Sequence, residues 1–140
     1  MENKKTLDQI RVAVALREKN NAKKGSDEGK KVKNYPTMIQ NNGLLGTLAY
    51  SAERKIDKRK GDVGPQNPAE HSMAKIVIKY LIELEKEYKT IGKQLSVSSF
   101  DDSDDIVEFV NFLTQCSPEQ FRRINAEVLA FLNYFRRFAS

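Results

Sequence analysis

The 140-residue chain has no tryptophan, a single cysteine and a single histidine. Cys116 alone excludes an internal disulfide framework and suits a reducing cytosol. His71 has no second histidine to help it complete a zinc site, so it reads as a surface histidine, and Cys116 as a buried or half-buried thiol. No apolar run approaches the ~20 residues that a membrane span needs. The N-terminal stretch MENKKTLDQIRVAVAL lacks the apolar core and small-residue cleavage site of a secretory signal, so a cytoplasmic chain without membrane contact is expected. There is no Gly-rich phosphate loop and no nucleophile elbow. Asp101, Asp102, Asp104 and Asp105 lack the calcium-loop spacing and its closing glutamate, and read as a solvated connector with capping duty. Catalysis, a cofactor and a metal are therefore not expected. No stretch alternates with period two, so no sheet is expected either.

What is present is helical. Apolar residues make up 39% and charged residues 31%, a balance that suits one globular domain over residues 1–140 with a charge-rich surface. Thr6 and Gln9 form a capping box before a helix from about Leu7 to Asn20, with Leu7, Ile10 and Val14 as a narrow stripe. Pro36 can begin a helix that Asn41, Asn42 and Gly43 stop, with Gly43 at positive φ. A second helix follows at once over Leu44 to Lys55, and its small residues Gly46, Ala49 and Ala52 would let another helix approach.

Asn67, Pro68 and Glu70 read as cap, first helical position and box residue of a helix running to about Ile91 and stopping at Gly92. Ser103 can cap a short helix carrying Ile106, Phe109, Val110 and Leu113. Ser117 and Gln120 are a further box before the aromatic C-terminal helix, the expected centre of the core. The expectation is an all-α, compact bundle of about six helices without a sheet, with mobile loops near residues 21–29, 57–66 and 92–103.

Charge is uneven. The net charge is +5, but residues 1–60 hold 15 Lys/Arg against 7 Asp/Glu, whereas residues 61–140 hold 9 against 12. A basic half suits a polyanion or an acidic protein, and the asymmetry also suits head-to-tail stacking of copies. Three clusters are candidate phosphate contacts: Lys30, Lys31 and Lys33; Arg54, Lys55, Lys58, Arg59 and Lys60; and Arg136 with Arg137. Tyr35, Tyr50 and Tyr134 could stack on bases, although packing in the core or at its rim is the commoner role.

IQNNGLLGTLAYSAERK, taken with the C-terminal EVLAFLNYFRRFAS, resembles the small subunit of Cmr-type (type III-B) CRISPR effector complexes. That family has an asparagine-rich turn, a Gly-Leu-rich helix and a last helix ending in an aromatic, basic, Phe-Ala pattern. The resemblance covers most of residues 4–139, with Tyr134 standing where tryptophan is frequent. It implies a non-catalytic subunit of antiviral defence. Copies of it would stack in an inner filament beside the backbone and large subunits and help hold guide RNA and target RNA. Cleavage and signalling would belong to other subunits. Carried over are the turn Asn41, Asn42 and Gly43, the helix Leu44 to Lys55, and Arg136 with Arg137. The alternatives are the small subunit of the sister Csm-type complex, or a protein–protein adaptor that touches no RNA.

Overall fold

In a computed structural model, the structure describes residues 5–22, 29–88 and 106–138. They form seven helices and one hairpin: α1 (Leu7–Glu18), α2 (Lys30–Lys33), α3 (Tyr35–Asn42), α4 (Leu44–Ala52), β1 (Arg54–Asp57), β2 (Gly61–Pro65), α5 (Pro68–Glu87), α6 (Ile106–Thr114) and α7 (Pro118–Phe138). Among the described residues no helix is long and apolar enough to cross a membrane.

The helix starts follow local chemistry at two of three places. The Thr6 hydroxyl accepts from the Gln9 amide at 3.1 Å, while the Gln9 side chain accepts from the Thr6 amide at 2.8 Å. Ser117 and Gln120 repeat this reciprocal pair at 3.1 and 3.2 Å ahead of α7. Asn67 does not cap α5. Its side-chain amide instead donates to the Tyr50 carbonyl at 2.9 Å and to the Glu53 carboxylate at 3.2 Å, which ties the start of α5 to the end of α4.

α5 is the central helix. It is buried almost all round, at Met73, Ala74, Ile76, Val77, Ile78, Tyr80, Leu81 and Leu84, as a helix must be when neighbours cover every face. It touches α1, α2, α4, α6 and α7. The aromatic α7 is one of its partners rather than the centre: Phe131 stacks on Tyr80 with centroids 4.3 Å apart, and Phe135 packs on Phe131 at 5.9 Å. α1 lies along α7. α5 ends at Glu87, with Tyr88 already non-helical at φ −124, short of the expected Ile91. The Tyr88 hydroxyl donates to the Lys5 carbonyl and fastens that end to the start of α1. The expected Gly92 stop, the Ser103 cap, the aspartates at 101–105 and the loops at 23–28 and 92–103 lie outside the described residues.

Gly43 separates α3 from α4 at φ +81 and ψ 160. Asn41 and Asn42 belong to the last turn of α3 rather than to the break itself. α4 buries Leu44, Thr47, Leu48 and Ser51, so Gly46 and Ala49 are exposed and, among the described residues, no helix approaches over them. Tyr35 is fully buried, and its hydroxyl lies 2.7 Å from the Ser51 hydroxyl; it is a core residue and has no surface to stack on a base.

The expectation of no sheet is overturned. β1 and β2 form an antiparallel hairpin where a mobile loop was expected, and α4 stops at Ala52 rather than at Lys55. The cause is turn chemistry. Asp57 accepts from the Arg59 and Lys60 amides at 2.8 and 2.9 Å, and Gly61 takes φ +77 at the start of the return strand. Neither face of the ribbon is buried: Ile56 is 67% and Val63 47% exposed. A strand pair with both faces in water leaves no alternating pattern in its sequence.

Candidate nucleic-acid interface

The hairpin is fixed at its base. The Gln66 amide donates to the Glu53 carbonyl at 2.8 Å, and Asn67 holds Tyr50 and Glu53 as described. An isolated two-stranded ribbon is marginal in water, so these bonds anchor it to the helical body. Along it stand Arg54, Lys55, Lys58, Arg59 and Lys60, all exposed. Lys58, Arg59 and Lys60 make up the turn itself. The two acids of the ribbon are already engaged. Backbone hydrogen bonds from Lys60 and Arg59 hold the Asp57 carboxyl below its ordinary range, and the Arg54 guanidinium and the Gly64 amide do the same to Asp62. The ribbon therefore exposes Lys55, Lys58, Arg59 and Lys60 around carboxylates that are turned to internal use, while Arg54 pairs with Asp62.

Arg54 points to a second feature. Its Nε donates to both Asp62 oxygens, at 3.2 and 3.0 Å. Register pairs Arg54 with Pro65, and both line a groove of about 480 Å3 between the hairpin base, the end of α1 and one face of α5. Asn21, His71, Ser72, Lys75 and Lys79 complete its polar lining. The His71 Nδ1 is 3.2 Å from the Ser51 carbonyl. The Lys79 ammonium lies 3.5 Å from Glu18, a buried carboxylate that also accepts from Arg17 at 3.1 Å and Asn21 at 2.7 Å. Burial pushes the Glu18 carboxyl up, but these hydrogen bonds and the charge of Lys79 outweigh it and hold it below its ordinary range.

The remaining basic candidates sit on other elements. Lys31 and Lys33 are exposed on α2, which packs on α5 through Val32. Arg136 and Arg137 are exposed near the end of α7, with the Arg137 guanidinium 5.8 Å from the Tyr134 ring centre. The structure thus unites the five hairpin cations and leaves α2 and α7 as separate basic positions. Asn41 and Asn42 are exposed in the last turn of α3.

Sequence reasoning passed over the groove. Its signal was legible: His71, Lys75 and Lys79 recur at intervals of four, which puts them on one face of α5. Among the described residues no three His, Cys, Asp or Glu side chains come together as a metal site would need. Cys116 is half-buried, its thiol pushed up by burial.

Arg11 is a basic residue turned mostly away from solvent, its side chain 16% exposed. Its guanidinium clasps Glu127 of α7 through two bonds, 2.7 and 3.0 Å, and Glu127 also accepts from the Tyr80 hydroxyl at 2.7 Å. This triad joins α1, α5 and α7 and is structural.

The family described as CRISPR-associated protein (Cas_Cmr5) matches residues 7–140, nearly the whole chain. No curated protein and no solved structure matches it. The matched span takes in both segments that carry the resemblance, the Gly43 break with α4 and the basic end of α7, and the family is the Cmr-type one rather than its Csm-type sister. The chain belongs to the Cmr-type CRISPR-associated small-subunit family.

Proposed function

We propose that the chain is a non-catalytic subunit that helps hold guide RNA and target RNA in a cytoplasmic type III-B effector complex, stacked with copies of itself beside the backbone and large subunits. Family membership implies association with a CRISPR effector complex; the RNA contact is the further step. The observation that carries it is the anchored hairpin, with Lys55, Lys58, Arg59 and Lys60 exposed along one ribbon. Flexible amines and one guanidinium on a projecting ribbon can follow a phosphate backbone, and they do not read base edges. The split between a basic first half and an acidic second half supports head-to-tail stacking of copies. Lys31, Lys33, Arg136 and Arg137 are further exposed basic positions, on α2 and α7, that such a subunit could turn to RNA.

Photo-crosslinking of the assembled complex tests this. A crosslinking residue placed at Lys58 or Lys60 should capture guide or target RNA. A second reading has its own observation: Ile56 and Val63 leave apolar surface open on the same ribbon, which suits a protein neighbour. Crosslinks from these positions to another subunit alone, with none to RNA, would replace the RNA reading with the adaptor one.

A further inference from the structure

The outer face of α7 is charged in a way that its part in the core does not require. The helix carries Arg122, Arg123, Arg136 and Arg137 and no lysine, whereas the rest of the chain has 16 lysines and 4 arginines. All four α7 arginines are exposed. They form two pairs 14 residues apart, a separation of about 3.9 helical turns and ~21 Å. The pairs therefore recur on one side of the helix, opposite the buried stripe of Ile124, Val128, Phe131 and Phe135. Between them the exposed Ala126 and Asn133 and the half-buried Ala130 are short and uncharged. Glu127 is the only acid between the pairs, and it is buried against Arg11 and Tyr80. The face is thus a low, neutral stretch with an arginine pair at each end.

The fold makes little use of these arginines. The guanidinium groups of Arg122 and Arg136 have no hydrogen bond or ion pair among the described residues. Arg123 meets Glu119 at 3.5 Å, with both side chains more than half exposed, and such a pair contributes little. Arg137 lies over the Tyr134 ring, 5.8 Å from its centre, which supports the guanidinium by its face and leaves its N–H edges open. Arg136 and Arg137 gain from the dipole at the helix C-terminus, but Arg122 and Arg123, near the other end, do not. Helix stability therefore does not account for the first pair. A guanidinium fork matches two oxygens of one phosphate, as an ammonium does not. Two such pairs ~21 Å apart, with nothing bulky or acidic between them, fit a linear polyanion along the helix better than a compact anion. A second copy of the chain offers no matching acidic face among the described residues, where Asp8 is engaged by Arg11, Glu53 by Asn67, and Asp57 and Asp62 within the hairpin.

We propose that the outer face of α7 is a second RNA track, on which Arg122 and Arg123 at one end and Arg136 and Arg137 at the other hold phosphates of one strand lying along Ala126, Ala130 and Asn133. The proposal rests on the RNA-holding reading above and extends it from the hairpin to a separate helix.

The test is photo-crosslinking in the assembled complex, with the crosslinking residue at Ala126, where it removes no arginine. It should capture RNA. Retention of unrelated RNA sequences is then measured over a salt series. Arg122→Gln with Arg136→Gln should weaken retention about tenfold and flatten the salt dependence by roughly 0.7 in slope for each phosphate released. Arg122→Lys with Arg136→Lys keeps both charges and removes the forks; it should keep the salt slope and weaken retention several-fold. Both positions are exposed, so circular dichroism and incorporation should match wild type; if the glutamine variant fails to enter the complex, the Ala126 crosslink decides. Crosslinks from Ala126 to protein alone, no crosslink, or wild-type retention with an unchanged slope in the glutamine variant overturns the track. If Lys58 still crosslinks to RNA in that case, only this inference falls; if neither position reaches RNA, the RNA reading falls with it.

Discussion

Replacing Glu127 with alanine should be among the most damaging single changes in this protein. Glu127 is 8% exposed and accepts three hydrogen bonds, two from Arg11 and one from Tyr80. Its removal strands the guanidinium of an arginine whose side chain is only 16% exposed, and a buried phenol. Breaking a buried ion pair costs about 3–5 kcal/mol, because the charge left behind has neither water nor partner. Asp8, 2.8 Å from Arg11, offers the guanidinium partial compensation, so the expectation is the lower half of that range, about 3–4 kcal/mol. Tyr80→Phe keeps the stack on Phe131 and the Arg11 pair, and should cost about 1–2 kcal/mol. Arg11→Met combined with Glu127→Leu removes both charges and fills the space but leaves the Tyr80 hydroxyl unpaired, and should cost less than Glu127→Ala, about 1–2 kcal/mol. Urea unfolding at constant slope measures all three. A Glu127→Ala loss under about 1 kcal/mol, or a double variant as unstable as that single one, would refute the account of this triad.

Gly43→Val should lower the melting temperature, because its added carbon would meet nothing within 4 Å and the whole effect, about 1–3 kcal/mol, would be strain at φ +81; an unchanged melting temperature contradicts this. Thr47→Val should raise stability by about 1 kcal/mol, since the buried Thr47 hydroxyl has no hydrogen-bond partner among the described residues and valine keeps the shape; a drop in stability would show that the hydroxyl is satisfied. Burial pushes the Tyr35 and Tyr80 phenols well above their ordinary value, with Glu127 adding to the effect at Tyr80. A raised folded-state value means stability that is complete below the ordinary pKa of ~10 and is lost as pH rises beyond it. The urea midpoint should therefore fall above that pH, and Tyr35→Phe with Tyr80→Phe should flatten the fall.

The features legible in the sequence are those decided within a few residues. Thr6 with Gln9 and Ser117 with Gln120 close their boxes as their spacing demands, and Gly43 breaks the helix where its missing side chain permits. Competition over longer distances is where local reading fails. Asn67 has a good capping sequence, yet its amide is taken by Tyr50 and Glu53. Arg11 resembles any solvated cation until Glu127, 116 residues away, closes on it. The hairpin escapes a search for alternation because Ile56 and Val63 are exposed and produce no burial pattern; its true signal is Asp57 followed four residues later by Gly61. In the candidate interface, the clustering of Lys55, Lys58, Arg59 and Lys60 is legible as charge, and their display on a ribbon is not. Arg54 clusters with them in sequence, but its guanidinium faces inward to Asp62 and the groove. Lys75 and Lys79 escape notice because a stripe spaced by four on a long helix usually just meets water.

The central claim is that the exposed hairpin cations hold RNA without reading its sequence. RNA retention by the assembled complex, measured over a series of salt concentrations with Lys55, Lys58 and Lys60 reversed to glutamate, tests it most directly. The account predicts weaker retention for unrelated RNA sequences and a salt dependence flattened by roughly 0.7 in slope for each phosphate no longer neutralised, with the subunit still folded and incorporated. Wild-type retention with an unchanged salt slope would contradict it.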